Sequence, residues 1–412
     1  MLGKLYGRWM YRWETALTTR DTNRIVRPVE WGFEWLQDFA QSHGFSLAQR
    51  PAADHAAGER AMLELNDFIL QHRREFFAYR TPQDFVLEER HPQLYPTNVR
   101  PETLLRDARL RRRAANGTLP TAKFLRFTSP VRTPYPENDR VNARWFPASP
   151  EKMAGKPKQA IIVMPQWNAD AFSHNALCSV FNRFGVSALR LSKPYHDIRR
   201  PAELERADYA VSANVGRTIA SCRQAVIDIR CCIDWLEQQG YEQFGILGTS
   251  LGSCYAFLAG ALDSRVRVGA FNHASMSFGD VVWTGQSTRH IRAAFESISM
   301  TQQRLRDVWA AVSPSYYMDQ FAATPKRILL VHATYDLTFL EEYSLQVIEN
   351  FRRRGIDFVS KVLPCGHYTT GETPYKFMDG WYLGSFVYSA FKQLASLAGS
   401  TPSSQQTELV AR

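Results

Sequence analysis

A short apolar run, residues 243–247, meets a helix-like pattern that starts at Leu251, and between them stands Gly248-Thr249-Ser250-Leu251-Gly252. A turn this abrupt between strand and helix leaves little room for side chains. Glycines therefore flank the central residue, and the bend lifts the Ser250 hydroxyl above the edge of a sheet. The five residues thus constrain fold and chemistry together, with Ser250 as candidate nucleophile. Serine is also a common helix N-cap, so the reading depends on partners elsewhere in the chain.

A serine hydroxyl is a weak nucleophile until a base takes its proton and a third group holds that base in place. Residues 327–332 read as a buried strand, and the loop that follows brings Asp336 to its C-terminal end. A helix pattern over 339–351 leads to another strand, 357–363. Pro364-Cys365-Gly366-His367 then places His367 on a loop at the same sheet edge. The order is Ser, Asp, His, with 86 residues between the first two positions and 31 between the last two. Glu341 and Glu342 are alternative acids, but both fall inside the predicted helix. His332 ends a strand and reads as structural, whereas His273, just past a strand over 266–271, is retained as a pocket candidate.

This arrangement resembles the α/β-hydrolase superfamily, in its serine esterase and lipase-like branch, over roughly residues 123–397. The resemblance implies an α/β fold with a mostly parallel central sheet flanked by helices, the acid following the seventh strand and the histidine the eighth. It makes Ser250 the nucleophile, His367 the general base and acid, and Asp336 the residue that orients His367. One oxyanion donor is then the N–H of Leu251. The second comes from the loop after the third strand, here Pro165-Gln166-Trp167-Asn168 after residues 160–164, where the sequence departs from the common His-Gly form; Gln166 or Trp167 is the donor. The loop 192–196 is expected to reach the site as well. No metal and no organic cofactor is implied. Serine at the elbow disfavours epoxide-hydrolase and dehalogenase chemistry, which would place Asp there, and the dienelactone-hydrolase type, which would place Cys. Residues 274–313, where strand–helix alternation lapses among Phe278, Val281, Val282, Trp283 and Phe295, are expected to form a lid insertion, with ordinary core helices as the alternative.

Composition bounds the rest. A catalytic body of about 275 residues leaves more than a hundred of the 412 for other structure. No apolar run approaches the ~18 residues of a membrane span. Lys4, Arg8 and Arg12 interrupt the apolar N-terminus, so no secretory signal is expected. The six cysteines show neither metal-ligand spacing nor a disulfide framework, which makes a cytoplasmic location the expectation. The net charge of +10 is concentrated in residues 121–230, with 17 Lys and Arg against 9 Asp and Glu. Such an excess attracts anionic substrates or surfaces at long range, but no nucleic-acid module accompanies it. Arg109, Arg111, Arg112 and Arg113 read as a solvated helix end, and Asn116-Gly117-Thr118 as a turn.

Residues 1–119 are expected to form a mainly helical N-terminal extension, 120–397 the catalytic domain and 398–412 a disordered tail. Leu2, Leu5, Tyr6, Trp9, Met10, Trp13 and Leu17 share one face of an N-terminal helix with Lys4, Arg8 and Arg12 beside it. Packing on its own domain is the preferred reading of that helix, and a membrane surface the alternative. Val215, Ile219, Cys222, Val226, Ile229, Ile233 and Leu236 form one stripe of a long helix ending near Gly240. The functional expectation is a serine hydrolase that cleaves a small-molecule or lipid carboxylic ester through an acyl-enzyme. Its alternatives are a peptidase or amidase, a peripheral membrane lipid hydrolase, and a binding protein without catalysis.

Overall fold

The computed structural model describes residues 2–20, 23–47, 54–94 and 101–399. Nine strands form one sheet: β1 Val86–Arg90, β2 Ala122–Thr128, β3 Arg140–Phe146, β4 Gln159–Met164, β5 Val186–Ser192, β6 Gln243–Thr249, β7 Val266–Asn272, β8 Arg327–Ala333 and β9 Phe358–Leu363. Their order across the sheet is β1-β2-β3-β5-β4-β6-β7-β8-β9. The pairs from β1 to β5 are antiparallel, and those from β5 through β9 are parallel. The helices that position the site are α1 Leu2–Thr19, α2 His55–Gln71, α3 Asn175–Arg183, α4 Val215–Gln238, α5 Leu251–Leu262, α6 Glu341–Arg353 and α7 Tyr375–Gly399.

Every residue of β4 and of β5 is buried, because helices cover the parallel part of the sheet on both sides. Strands in that position read as unbroken apolar runs, as Ala160-Ile161-Ile162-Val163 does. Alternate side chains divide between two cores. Ile162, Met164 and Ile246 pack with α4 and α5. Ile161, Val163, Leu247, Val268 and Val331 face Met10 of α1, Phe181 of α3 and Leu383, Val387 and Phe391 of α7. The stripe predicted for α4 is buried along its whole length, and Gly240 follows the helix at φ +78°, the left-handed conformation that ends many helices.

The N-terminal residues are not helical throughout. Val86–Arg90 forms an edge strand on β2, although Glu88, Glu89 and Arg90 carry none of the apolar alternation that would announce one. Counted without this added edge strand, the acid and histidine positions follow the seventh and eighth strands as expected; counted with it, they follow β8 and β9. Val29, Trp31, Phe39, Met62, Leu65, Phe76 and Phe77 share a core with α4 and Trp309. The 274–313 stretch folds into short helices, Phe278–Thr284, Arg289–Glu296 and Gln302–Val308, that bury Phe278, Phe295, Leu305 and Val308 in that same core. Arg109, Arg111, Arg112 and Arg113 are exposed near the end of the helix Pro101–Ala115.

α1 turns a different face inward from the one its apolar pattern predicts. Gly7, Met10, Glu14 and Thr18 are buried, while Leu5 and Trp9 are 56% and 50% exposed. The polar members of the inner face are the reason, since Glu14 and Thr18 both find hydrogen-bond partners there. Among the described residues, no helix is long and apolar enough to cross a membrane. α7 continues to Gly399, and residues 400–412 of the expected tail lie outside the described residues.

One buried ion pair ties α4 to the loop after β5. Arg199 and Asp228 are both inaccessible to solvent and 2.8 Å apart. Arg199 also donates to the carbonyls of Asn138 and Ser192, while Asp228 accepts from Ser129 Oγ at 2.7 Å. Removing one member leaves the other charged, buried and uncompensated. Asp228→Ala is therefore expected to lower the unfolding free energy by about 3–5 kcal/mol, read as a drop in the urea midpoint with an unchanged slope.

Candidate active site

Loops leave the C-terminal ends of six parallel strands on the same side of the sheet, the usual place for a ligand crevice in such sheets. Gln166 follows β4, Lys193 β5, Ser250 β6, His273 β7, Asp336 β8 and His367 β9.

Ser250 sits between β6 and α5 at φ 58°, ψ −122°, a conformation that costs a non-glycine residue of order 1–3 kcal/mol. The surroundings hold it there. Its N–H donates to Asn272 O at 2.8 Å, and its carbonyl accepts from the N–H and the hydroxyl of Ser253 at 2.8 and 2.6 Å. A Cβ on Gly248 would stand 2.3 Å from the Gly252 carbonyl oxygen, and one on Gly252 would stand 2.1 Å from that of Met164. Only glycine lets the first turn of α5 come this close to the strands beside it.

The three residues expected to act together are brought together. Ser250 Oγ lies 2.9 Å from His367 Nε2, and His367 Nδ1 lies 2.9 Å from Asp336 Oδ2. The other oxygen of Asp336 accepts the N–H groups of Thr338 and Phe339, each at 2.7 Å, so the carboxylate cannot rotate without losing both. The Phe339 ring lies parallel to the His367 ring, with centroids 5.4 Å apart, and limits its tilt. Glu341 and Glu342 stand at the start of α6, away from this chain of contacts.

His273 takes a closer place than the sequence assigned it. Its Nδ1 is 2.9 Å from the same Asp336 Oδ2, a close polar contact outside good hydrogen-bond alignment, and its ring is 4.5 Å from that of His367. Burial alone would push the Asp336 carboxyl up, but the two imidazoles reverse that and hold it well below the usual carboxylate range. Burial pushes His273 down, and the neighbouring His367 pushes it further. Burial would also lower His367, yet the charge and hydrogen bond of Asp336, with Glu14 behind it, raise it above the ordinary imidazole value. Glu14 belongs to the N-terminal helix and was absent from every sequence-based candidate. His332 is buried on β8 and makes no hydrogen bond to Ser250 or His367.

The two candidates for the second oxyanion donor, Gln166 and Trp167, are distinguished by the carbonyl that shares a peptide plane with each N–H. In a trans peptide the C=O and the next N–H point in opposite directions. The Pro165 carbonyl oxygen faces Gly252, 2.6 Å from where a Cβ would be, so the N–H of Gln166 turns away from α5. The Gln166 carbonyl accepts from Lys193 Nζ at 2.9 Å, on the β5 side of β4, and from Ala169 N–H at 3.1 Å. That turns the N–H of Trp167 towards the β6 side, where Ser250 stands. Of the two N–H groups, that of Trp167 thus points to the side of Ser250 and that of Gln166 away from it. Leu251 opens α5, so its N–H has no intrahelical acceptor. His196, from the 192–196 loop, supports the β4 loop by accepting the Asn168 N–H at 3.1 Å.

No protein-family model matches this sequence, and no curated protein matches it. Solved structures do. An acetyl xylan esterase from Thermoanaerobacterium sp. JW/SL YS485 aligns over 78% of this chain and 94% of its own, with a TM-score of 0.52 and 14% identity. An acylaminoacyl peptidase from Pyrococcus horikoshii aligns over 71% of this chain at a TM-score of 0.46 and 10% identity, and this chain spans 48% of its length. A Pyrococcus furiosus esterase aligns over 66% of this chain and 91% of its own, with a TM-score of 0.43 and 11% identity. At these identities the likeness is one of fold.

The balance around His367 can be measured without any substrate. In wild type its imidazole, followed by NMR of the ring protons, is expected to titrate above the ordinary value of about 6.5. In Asp336→Asn, burial has lost its main opponent and the titration should fall below that value. Because the folded value is raised, the imidazolium stabilises the fold fully below the ordinary value, and this is lost as pH rises through the folded one.

Proposed function

Because this chain has the α/β-hydrolase fold, we propose that it is a serine hydrolase that cleaves carboxylic esters through an acyl-enzyme. The observation that carries the reading is the continuous contact from Ser250 Oγ through the His367 ring to Asp336, at 2.9 and 2.9 Å, on a serine held in a strained turn. Neutral His367 takes the Ser250 proton on Nε2 as Oγ adds to the ester carbonyl carbon. The negative charge that develops on the carbonyl oxygen is received by the N–H groups of Leu251 and Trp167. Asp336 stabilises the imidazolium formed meanwhile. His367 returns the proton to the departing alcohol as the C–O bond breaks. The same ring then accepts a proton from water as its oxygen attacks the acyl group, and returns that proton to Oγ as the acyl–Oγ bond breaks, releasing the acid and free Ser250. The chemistry would serve an amide as well, and a panel of esters and amides of one acyl group separates the two substrates by their kcat/KM.

A second reading, hydrolysis at a lipid surface, is favoured by exposed aromatic residues on two neighbouring helices. Trp9 of α1 is half exposed, and Phe377 and Trp381 of α7 are 67% and 72% exposed. α1 meets the start of α7 through the Tyr6 and Tyr375 hydroxyls and the Trp13 and Tyr375 rings. Lys4, Arg8 and Arg12 lie on the same helix as Trp9. Binding to anionic vesicles that weakens with salt and is lost in Trp9→Ala/Trp381→Ala supports this reading; absence of binding in wild type removes it.

Labelling by a fluorophosphonate is expected in wild type and absent in Ser250→Ala. Ser250→Ala and His367→Ala should each reduce kcat by about 10⁶, with the double variant scarcely worse, because such residues act as a unit. Additive losses would sink the assignment. The kcat/KM profile should rise with pH on a limb above about 6.5, since only neutral His367 accepts the proton and its pKa is raised.

A further inference from the structure

The N-terminal helix reaches the site from behind. Glu14 of α1 is completely buried, and its carboxylate accepts the N–H of Tyr368 at 2.8 Å, the N–H of Thr369 at 2.9 Å and the hydroxyl of Thr369 at 3.0 Å. These are the two residues that follow His367. All three of these groups donate, which favours the ionised form of the acid and opposes the burial that raises its pKa above the ordinary carboxylate value. Thr369 Oγ1 in turn accepts the N–H of Gly366, the residue before His367, at 2.6 Å. A Cβ at Gly366 would stand 2.4 Å from Glu14 Oε2, so the loop has glycine where the carboxylate presses against it. Tyr6, two turns earlier on α1, donates its hydroxyl to the carbonyl of Pro364. The backbone on both sides of His367 is thus fastened to one helix.

The same helix touches the acid's loop. Gly7 lies against the Tyr335 ring, and Tyr6 and Tyr11 meet that ring edge-on at 5.7 and 5.2 Å. Tyr335 precedes Asp336, and its N–H donates to the Cys365 carbonyl at 2.9 Å. α1 therefore spans the loops after β8 and β9 at the point where Asp336 and His367 must meet.

Resting on the serine-hydrolase reading, we propose that Glu14 is a positioning residue of the active site, which sets the His367 loop in register with Ser250 and supplies a second negative charge behind the imidazole. The groups facing His367 are Asp336 and His273 on its Nδ1 side, Ser250 at Nε2, and Glu14 beneath the loop. Asp336 holds the ring by direct contact. Glu14 acts through the backbone and through its field, which adds to that of Asp336 in favouring the imidazolium. A loop displaced by about 1 Å costs a reaction of this kind on the order of 10²-fold, so a residue that never touches substrate has a kinetic signature.

The test uses the full chain, one soluble ester, and the variants Glu14→Ala, Glu14→Gln and Glu14→Asp. Glu14→Ala is expected to lower kcat by about 10²-fold or more with KM within about threefold. The rate of fluorophosphonate labelling at Ser250 should fall in step. Glu14→Gln keeps the shape and removes the charge, so its acid limb in kcat/KM should move to lower pH, and Glu14→Asp should move that limb back towards wild type. An effect through unfolding alone would appear as a loss of labelled fraction, with the surviving enzyme keeping wild-type kcat and pH profile. That result, or a Glu14→Ala enzyme that labels as fast as wild type, overturns the proposal. Failure of wild type to label at all overturns the serine-hydrolase reading instead.

Discussion

The site depends on how closely the backbone at the start of α5 approaches the strands beneath it. With Gly248 and Gly252 there is no side chain between the helix and the carbonyl of Met164, and the gap is smaller than a methyl group needs. That contact forces Ser250 into a backbone conformation it would not choose. It also brings the start of the β4 loop, through the carbonyls of Met164 and Pro165, against the first turn of α5. The proposed nucleophile and its proposed oxyanion donors thus share one packing contact. The strain of order 1–3 kcal/mol at Ser250 is small beside the burial of β4, β5 and β6 between two helical layers, which is why so sharp a turn persists.

Much of this was legible in the sequence because it follows from periodicity and from loop position. The α4 stripe, the unbroken apolar runs of β4 and β8, and the placement of Asp336 and His367 just beyond strand ends need no knowledge of side-chain geometry. What stayed hidden shares a different character. β1 was missed because an edge strand of Val-Leu-Glu-Glu-Arg exposes much of its surface and shows no alternation. The inner face of α1 was misjudged because apolarity was the only criterion, whereas its buried face carries Glu14 and Thr18. Nothing local marks a glutamate as buried when its partners lie more than 350 residues away. His273 was flagged by its strand end, but its contact with Asp336 follows from the register of β7 against β8, which the sequence does not state.

The basic excess in residues 121–230 also looks different once folded. Arg190 and Arg199 are buried in ion pairs with Asp197 and Asp228. Lys193 is almost inaccessible and donates to the Gln166 carbonyl, with burial pushing its pKa far down. These basic side chains are used inside the protein, as donors to backbone carbonyls that shape the loops after β4 and β5. Counted as surface charge they would suggest a stronger attraction for anionic partners than the folded molecule presents. Their positions bear instead on how rigid the loops after β4 and β5 are, since each fastens a loop that would otherwise have free carbonyls.

Glu14 and the residues it holds are separated by 354 and 355 positions, nearly the length of the chain. A ribosome adding roughly 5–20 residues per second finishes α1 some 20–70 seconds before Tyr368 and Thr369 exist. During that interval the helix has its inner carboxylate and no partner for it, and the strands of β6 and β8 can assemble with Ser250 and Asp336 already in place. The last loop to be made is the one that completes the reactive contact. A nascent chain that has not yet reached residue 367 therefore holds Ser250 and Asp336 without the imidazole that joins them.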